Sequence, residues 1–253
     1  MLAVEDLRVA FGGVAALAGV SFSVRPGTIT SLIGPNGAGK TTAFNAITGY
    51  LKPGHGRVTW EGRPLAGRPS DIARRGVVRT FQKTSVFPAL TVFDNVRTGL
   101  HLRGRAGVWS VLAGGRRVRD EEARLAELAR EVIAFVGLAH RRDEVASELP
   151  YGEQRLVELA VALAARPRIL LLDEPAAGMT GAEKERLIAM IRRIRAAEVT
   201  VLLVEHDMRL VMGVSDAVIV LNHGRVIASG APASIQAHPD VIRAYLGSSG
   251  APA

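Results

Sequence analysis

Thr28-Ile29-Thr30-Ser31-Leu32-Ile33 runs directly into Gly34-Pro35-Asn36-Gly37-Ala38-Gly39-Lys40-Thr41-Thr42, and that junction decides the fold. The first part is apolar and β-branched, as a buried strand requires. From Gly34 onward the chain fits G-x-x-x-x-G-K-[ST], and Lys40 to Thr48 then has helical character, closed by Gly49. The glycines let the backbone curl so that successive N–H groups point inward at an anion. The following helix adds the positive end of its dipole to the same place. The pattern predicts that Gly34, Pro35, Asn36, Gly37, Ala38, Gly39, Lys40, Thr41 and Thr42 hold the phosphates of a nucleoside triphosphate. Lys40 reaches the β- and γ-phosphates, and the Thr41 hydroxyl sits on Mg²⁺.

A second element agrees with the first. Ile169-Leu170-Leu171-Leu172-Asp173-Glu174 is an apolar strand ending in two carboxylates. Asp173 is expected to orient the magnesium through its water shell, and Glu174 to polarise the water that attacks the γ-phosphate. Ligands of open α/β sheets gather at the carboxyl ends of the strands, where both motifs fall.

Around these motifs the chain changes character twice. Short β-like runs at Leu7 to Phe11, Val20 to Val24 and Val58 to Trp60 flank the loop, with Pro26-Gly27 as a turn. From about Val92 to Leu138 the pattern is helical, interrupted by a looser stretch from Arg103 to Arg117 that reads as a surface loop, and Glu153 to Ala165 is helical again. The last third alternates: a helix over Ala182 to Ala197, a buried strand over Thr200 to Val204, then Asp216 to Leu221 and Val226 to Ser229 as a hairpin through Asn222-His223-Gly224-Arg225. The expected architecture is one α/β domain over residues 1–253: a mostly parallel sheet core, an antiparallel β flank, a helical insertion at about 92–165 and a C-terminal hairpin and helix from about 216.

Composition narrows the classes. With 48% hydrophobic residues in 253, the chain has material for a packed core, which argues against wholesale disorder. Cysteine is absent, so neither a disulfide framework nor a thiolate metal site exists. No apolar stretch approaches the roughly 20 residues needed to cross a bilayer. The start, Met1-Leu2-Ala3-Val4-Glu5-Asp6, lacks the basic flank of a signal peptide, so the chain is expected to stay in the cytosol. The net charge is +8, but only Lys40, Lys52, Lys83 and Lys184 are lysines, and the arginines are scattered among few aromatics. A solvated arginine-biased surface explains that better than nucleic-acid binding.

The remaining landmarks make the chain resemble an ABC ATPase along its whole length, a P-loop NTPase of the ABC type. Gln82, in Arg79-Thr80-Phe81-Gln82, matches the family's Q-loop glutamine, which the resemblance implies touches Mg²⁺. Leu149-Pro150-Tyr151-Gly152-Glu153-Gln154 stands in place of the signature L-S-G-G-Q, so that Tyr151, Gly152 and Glu153 would face the nucleotide of a second such domain. Ala177-Gly178-Met179-Thr180 takes the D-loop position, His206 that of the switch histidine on the γ-phosphate, and Phe11 that of the aromatic stacked on adenine. Phe11-Gly12-Gly13-Val14, Phe44 to Gly49, Arg79 to Gln82, Asp173 to Met179 and the ending Val241 to Gly247 are similar, more narrowly, to the branched-chain amino-acid importers. The long insertion after Gln82 favours the larger of that system's two ATPase types. The resemblance implies an ATPase with ATP and Mg²⁺ as cofactors, at the cytoplasmic face of the membrane. Its implied partners are membrane permease subunits, a second ATPase subunit in a homo- or heterodimer and, indirectly, an extracytoplasmic binding protein.

Two departures stand out. Pro150 replaces the signature serine, and proline, though tolerated in the first turn of a helix, supplies neither hydroxyl nor N–H. Thr180 stands where many ABC relatives carry aspartate, although the branched-chain group itself usually has a neutral side chain there. Other substrates (urea, another amino acid, a lipid), a soluble non-transport ABC ATPase and a non-hydrolysing structural partner stay open at this stage.

Overall fold

The computed structural model describes residues 1–80, 86–100 and 116–247. The chain divides into two compact units, one formed by Met1–Arg79 with Arg168–Ala253 and the other by Thr80–Pro167.

The first unit carries two sheets. Strands β1 (Leu2–Phe11), β2 (Val14–Val24), β4 (His55–Trp60) and β5 (Arg63–Pro64) form an antiparallel sheet in the order β2-β1-β4-β5. The β1–β2 hairpin turns on Gly12 and Gly13, whose φ values of 53° and 88° suit a tight turn closed to most side chains. Both strands are longer than the periodicity suggested. Register shifts between Val4 and Leu7, Leu7 and Arg8, and Val9 and Ala10 disrupt the alternation on which a strand reading depends. The second sheet runs β10-β9-β3-β8-β7-β6, from β3 (Ile29–Ile33), β6 (Val77–Arg79), β7 (Ile169–Asp173), β8 (Thr200–Val204), β9 (Ala217–Asn222) and β10 (Arg225–Gly230). It is parallel from β9 to β6, and β10 closes the edge as the antiparallel arm of the expected hairpin. Every residue of β3, β7 and β8 is buried, which is why these strands read as unbroken apolar runs.

Helix α1 (Lys40–Ile47) follows β3, with its cap at Thr48 and Gly49 just beyond at φ 76°. A short α2 (Pro69–Arg74) precedes β6. After β7 comes α6 (Gly181–Ala196), after β8 the short α7 (Met208–Val214), and after the final hairpin α8 (Pro232–Gln236) and α9 (Pro239–Gly247). Met208, Met212, Ile227 and Tyr245 pack on a small core of Ile33, Val211, Val218, Val220, Ala228, Ile235 and Val241. The elements α2, β6, α7 and α8 span three to seven residues each, too few for a hydrophobic period to show.

The second unit is helical: α3 (Val92–Leu100), α4 (Arg116–Phe135) and α5 (Tyr151–Ala164), with short 3₁₀ turns at Ala139–Arg141 and Ala146–Glu148. The loop expected over Arg103 to Arg117 falls mostly outside the described residues, and Arg116-Arg117 instead begin α4. Helix α4 stops at Phe135, so Val136 to Leu138 leave the helical run, with Gly137 at φ 83°. Gly99 lets α3 and α5 approach: a Cβ there would stand 2.2 Å from the Val161 carbonyl oxygen. Fully buried Asn95 receives the Phe87 N–H at 2.7 Å and donates to the carbonyls of Phe87, Leu90 and Thr91 at 3.1, 3.2 and 2.9 Å. One amide thus pins the whole turn before α3.

Thr180 has a structural task of its own. It is the N-cap of α6: the Glu183 N–H donates to its hydroxyl, and its own N–H donates to the Glu183 carboxylate at 2.8 Å. This reciprocal capping box satisfies donors that a helix start otherwise leaves open. Thr180→Ala is therefore expected to cost about 1 kcal/mol of stability, read as a lowered urea midpoint. An unchanged midpoint counts against the cap.

Candidate active site

Three strands of the first unit bring their carboxyl ends to one place. In register, Val204 of β8 lies beside Leu32 of β3 on one side and Asp173 of β7 on the other. The glycine-rich loop begins two residues after Leu32, Glu174 comes one after Asp173 and His206 two after Val204. Motifs far apart in sequence therefore meet at the same rim.

The loop itself admits only glycine at its hinges. Gly34 has φ 150°, and a Cβ there would lie 2.1 Å from the Leu221 carbonyl oxygen. Gly39 caps α1 at φ 105°, where a Cβ would lie 2.6 Å from the Ala16 carbonyl oxygen. Between them the Ala38 N–H donates to Pro35, and the Ala38 carbonyl accepts the Gly224 N–H from the turn of the final hairpin. Asn36 and Gly37 are exposed at the crest, as is Thr41 in the first turn of α1, with Thr42 half-buried beside it. Lys40 is buried; its ammonium donates to the carbonyls of Gly34 at 2.6 Å and Pro35 at 2.9 Å. Burial pulls its pKa below the ordinary lysine value, while the charges of Glu174 and Asp173 push it back up.

Asp173 ends β7 with its side chain 1% exposed. Its Oδ2 accepts from the Arg79 guanidinium at 2.6 Å, and its Oδ1 is buried without a hydrogen-bond partner among the described residues. An orphaned, buried carboxylate oxygen is costly unless something else supplies a donor or a cation. The Asp173 carboxylate and the exposed Thr41 hydroxyl are both oxygen donors of the kind that Mg²⁺ takes. Glu174 turns out of the strand at φ 49°, a left-handed backbone that costs a non-glycine residue about 1–3 kcal/mol and recurs at functional positions. Its Oε1 lies 2.8 Å from His206 Nε2. A carboxylate and an imidazole thus form one hydrogen-bonded pair, able to orient a water and pass a proton.

Phe11 ends β1 at the Gly12-Gly13 turn, 54% exposed, with its ring available to a flat ligand. Gln82 lies outside the described residues. In the second unit, Pro150 is the N-cap of α5, one position before the first turn, and supplies no side-chain cap. Tyr151 is exposed, and its hydroxyl accepts from Arg155 at 2.7 and 3.0 Å. Gly152 is buried, and the Glu153 carboxylate pairs with Arg141 at 3.2 Å.

Two groups escaped the sequence reading. Arg79 reaches from β6 to Asn45 Oδ1 at 2.7 Å as well as to Asp173. Glu205, 4% exposed, accepts the Ala176 N–H at 2.7 Å and the His206 N–H at 3.0 Å. Burial raises its pKa above the usual carboxylate range, and those backbone donors draw it part of the way back. Glu205 braces the chain after Glu174 against the chain carrying His206. Its place just before the matched histidine was the available signal, but an acid after a buried strand reads as solvated.

Comparison with known proteins points one way. The family described as ABC transporter matches residues 17–177, and that described as branched-chain amino acid ATP-binding cassette transporter matches residues 225–251. The chain is 44% identical to the high-affinity branched-chain amino acid transport ATP-binding protein LivG of Salmonella typhimurium, with 98% of each chain covered. It is 42% identical to the corresponding BraF of Pseudomonas aeruginosa, again over 98% of each. Among solved structures it is similar to an ATP-binding cassette of an ABC transporter in its ADP conformation, at 33% identity and TM-score 0.86 over 98% of each chain. It also resembles a nucleotide-free cassette at 32% identity and TM-score 0.85, covering 97% of this chain and 98% of that one.

Glu205→Ala is expected to leave the Ala176 N–H buried and unpaired, at a cost of about 1–3 kcal/mol in urea unfolding. A midpoint equal to wild type rejects the brace.

Proposed function

Because this chain belongs to the ABC transporter family of ATP-binding cassettes, we propose that it is the ATPase subunit that powers import of branched-chain or closely related amino acids. The observation that carries the reading is the junction of Lys40, Asp173, Glu174 and His206 at one sheet rim, in a chain 44% identical to a branched-chain amino acid transport ATP-binding protein.

In the proposed mechanism Phe11 stacks on adenine, and Gly34 to Thr42 hold the triphosphate through backbone N–H groups and the Lys40 ammonium. Two of the three Lys40 ammonium protons go to the carbonyls of Gly34 and Pro35, which leaves the third for a phosphate oxygen in a stronger, charge-assisted bond. Thr41 and Asp173, with Gln82, would hold Mg²⁺. Held by these residues, Mg²⁺ would supply neutralisation of the charge on the triphosphate. Glu174 orients the attacking water and draws its proton, and His206 holds Glu174 in place while contacting the γ-phosphate. Two cassettes, identical or different, close face to face so that Tyr151, Gly152 and Glu153 of each meet the nucleotide of the other. Membrane permease subunits take up the closing motion, which sets the chain at the cytoplasmic face of the membrane as a peripheral subunit. Among the described residues no helix is long and apolar enough to cross a membrane.

Glu174→Gln is expected to keep MgATP binding and to lower steady-state turnover of the assembled transporter at least about 100-fold. Undiminished turnover rejects the role of Glu174. Pro150→Ser restores both an N-cap and a phosphate donor, so it is expected to raise stability by about 1 kcal/mol and to raise turnover as well. A gain in stability without one in turnover or ATP-driven dimerisation means that Pro150 does not weaken the site. ATP-driven uptake of radiolabelled leucine by vesicles holding this subunit and its co-purifying partners tests the substrate; leucine-independent ATPase and no uptake reject it.

A further inference from the structure

The Arg79 side chain is 7% exposed and ties β6, which carries it, to two further elements of the first unit. From the end of β6 it donates to Asn45 Oδ1 on α1 at 2.7 Å and to Asp173 Oδ2 at the tip of β7 at 2.6 Å, and its guanidinium carbon lies 5.5 Å from the Phe44 ring centroid. A planar guanidinium packed against a ring and fixed through two separate donors has little freedom left. The carboxylate it holds is correspondingly fixed. A purely structural ion pair in so buried a place is expected to satisfy both carboxylate oxygens, since each orphan has a desolvation cost. Here one oxygen is satisfied and, among the described residues, Oδ1 is not.

We infer that Arg79 is a positioning residue for the metal site: it takes Oδ2 of Asp173, fixes the rotamer and leaves Oδ1 to the water shell of Mg²⁺. Asn45 completes the device by anchoring the guanidinium to the helix that carries Thr41, so the two oxygen donors for the metal, on α1 and β7, are held at a set distance. The inference rests on the magnesium reading above.

The test is calorimetric titration of the full-length chain with ADP, in excess Mg²⁺ and in EDTA, for wild type, Arg79→Lys and Asn45→Ala. Lysine keeps the charge, so Asp173 is not left as an unpaired buried ion, but it lacks the fork needed to reach Asn45 as well. Wild type is expected to bind ADP more tightly with Mg²⁺. Arg79→Lys is expected to lose about tenfold of that enhancement while its affinity in EDTA stays at the wild-type value. Asn45→Ala, which leaves every charge paired, is expected to lose a smaller part and keeps the question answerable if Arg79→Lys fails to fold. An enhancement equal to wild type in both variants overturns the inference, as does an equal loss of affinity with and without Mg²⁺, the mark of a merely structural pair. A wild-type chain indifferent to Mg²⁺ removes instead the magnesium reading on which the inference stands.

Discussion

Parallel pairing of β3, β8 and β7 sets everything else at the site. Leu32, Val204 and Asp173 are neighbours across the sheet, so the chain leaves three adjacent strands at nearly the same height. One departure becomes the glycine-rich loop, one the Glu174 turn and one the segment carrying His206. A slip of one residue along β8 would turn its side chains to the opposite faces and part His206 from Glu174, because strand side chains alternate with a period of two. The complete burial of all three strands holds that register, since any slip exposes apolar surface or leaves backbone groups unpaired.

Charge at the rim is balanced by specific pairings rather than by solvent. Lys40 is held by two loop carbonyls, Asp173 by Arg79, Glu174 by His206, and Glu205 by backbone N–H groups. Each arrangement lowers the cost of keeping an ionisable group away from water. They also hold the groups proposed to act on a phosphate in fixed positions, which is how preorganised electrostatics lowers a barrier. The left-handed backbone of Glu174 belongs to the same economy: the strain is tolerated because the sheet on one side and the Glu205 brace on the other leave the chain no other path.

The helical unit follows a different logic. Its stability rests on close helix packing at Gly99, on the Asn95 network and on the buried pair of Arg155 with Glu158 at 2.9 Å. Its proposed functional edge is the start of α5, where proline holds the cap position. Proline fixes a favourable entry into the helix, but it brings no side-chain oxygen to the first turn. The helix start and the chemistry proposed for that edge therefore go without a side-chain oxygen at the same residue.

How much could be read without coordinates follows from the range of the forces involved. The loop motif, the unbroken apolar strands, the final hairpin and the Asp173-Glu174 pair depend on near neighbours in the chain, so their residue types announce them. So, in part, does Thr180, whose partner Glu183 is only three residues on, though its role as a cap was hidden behind its place in a motif. The full length of β1 and β2 was obscured because bulges break the alternation that marks a strand. Arg79 gave no local sign of its role, since its carboxylate partner is 94 residues away, and Glu205 gave only its place before His206, since the N–H it takes from Ala176 is 29 residues away. Pairs at such separations exist only once the sheet has brought distant strand ends together, since no local preference favours them before the core has formed.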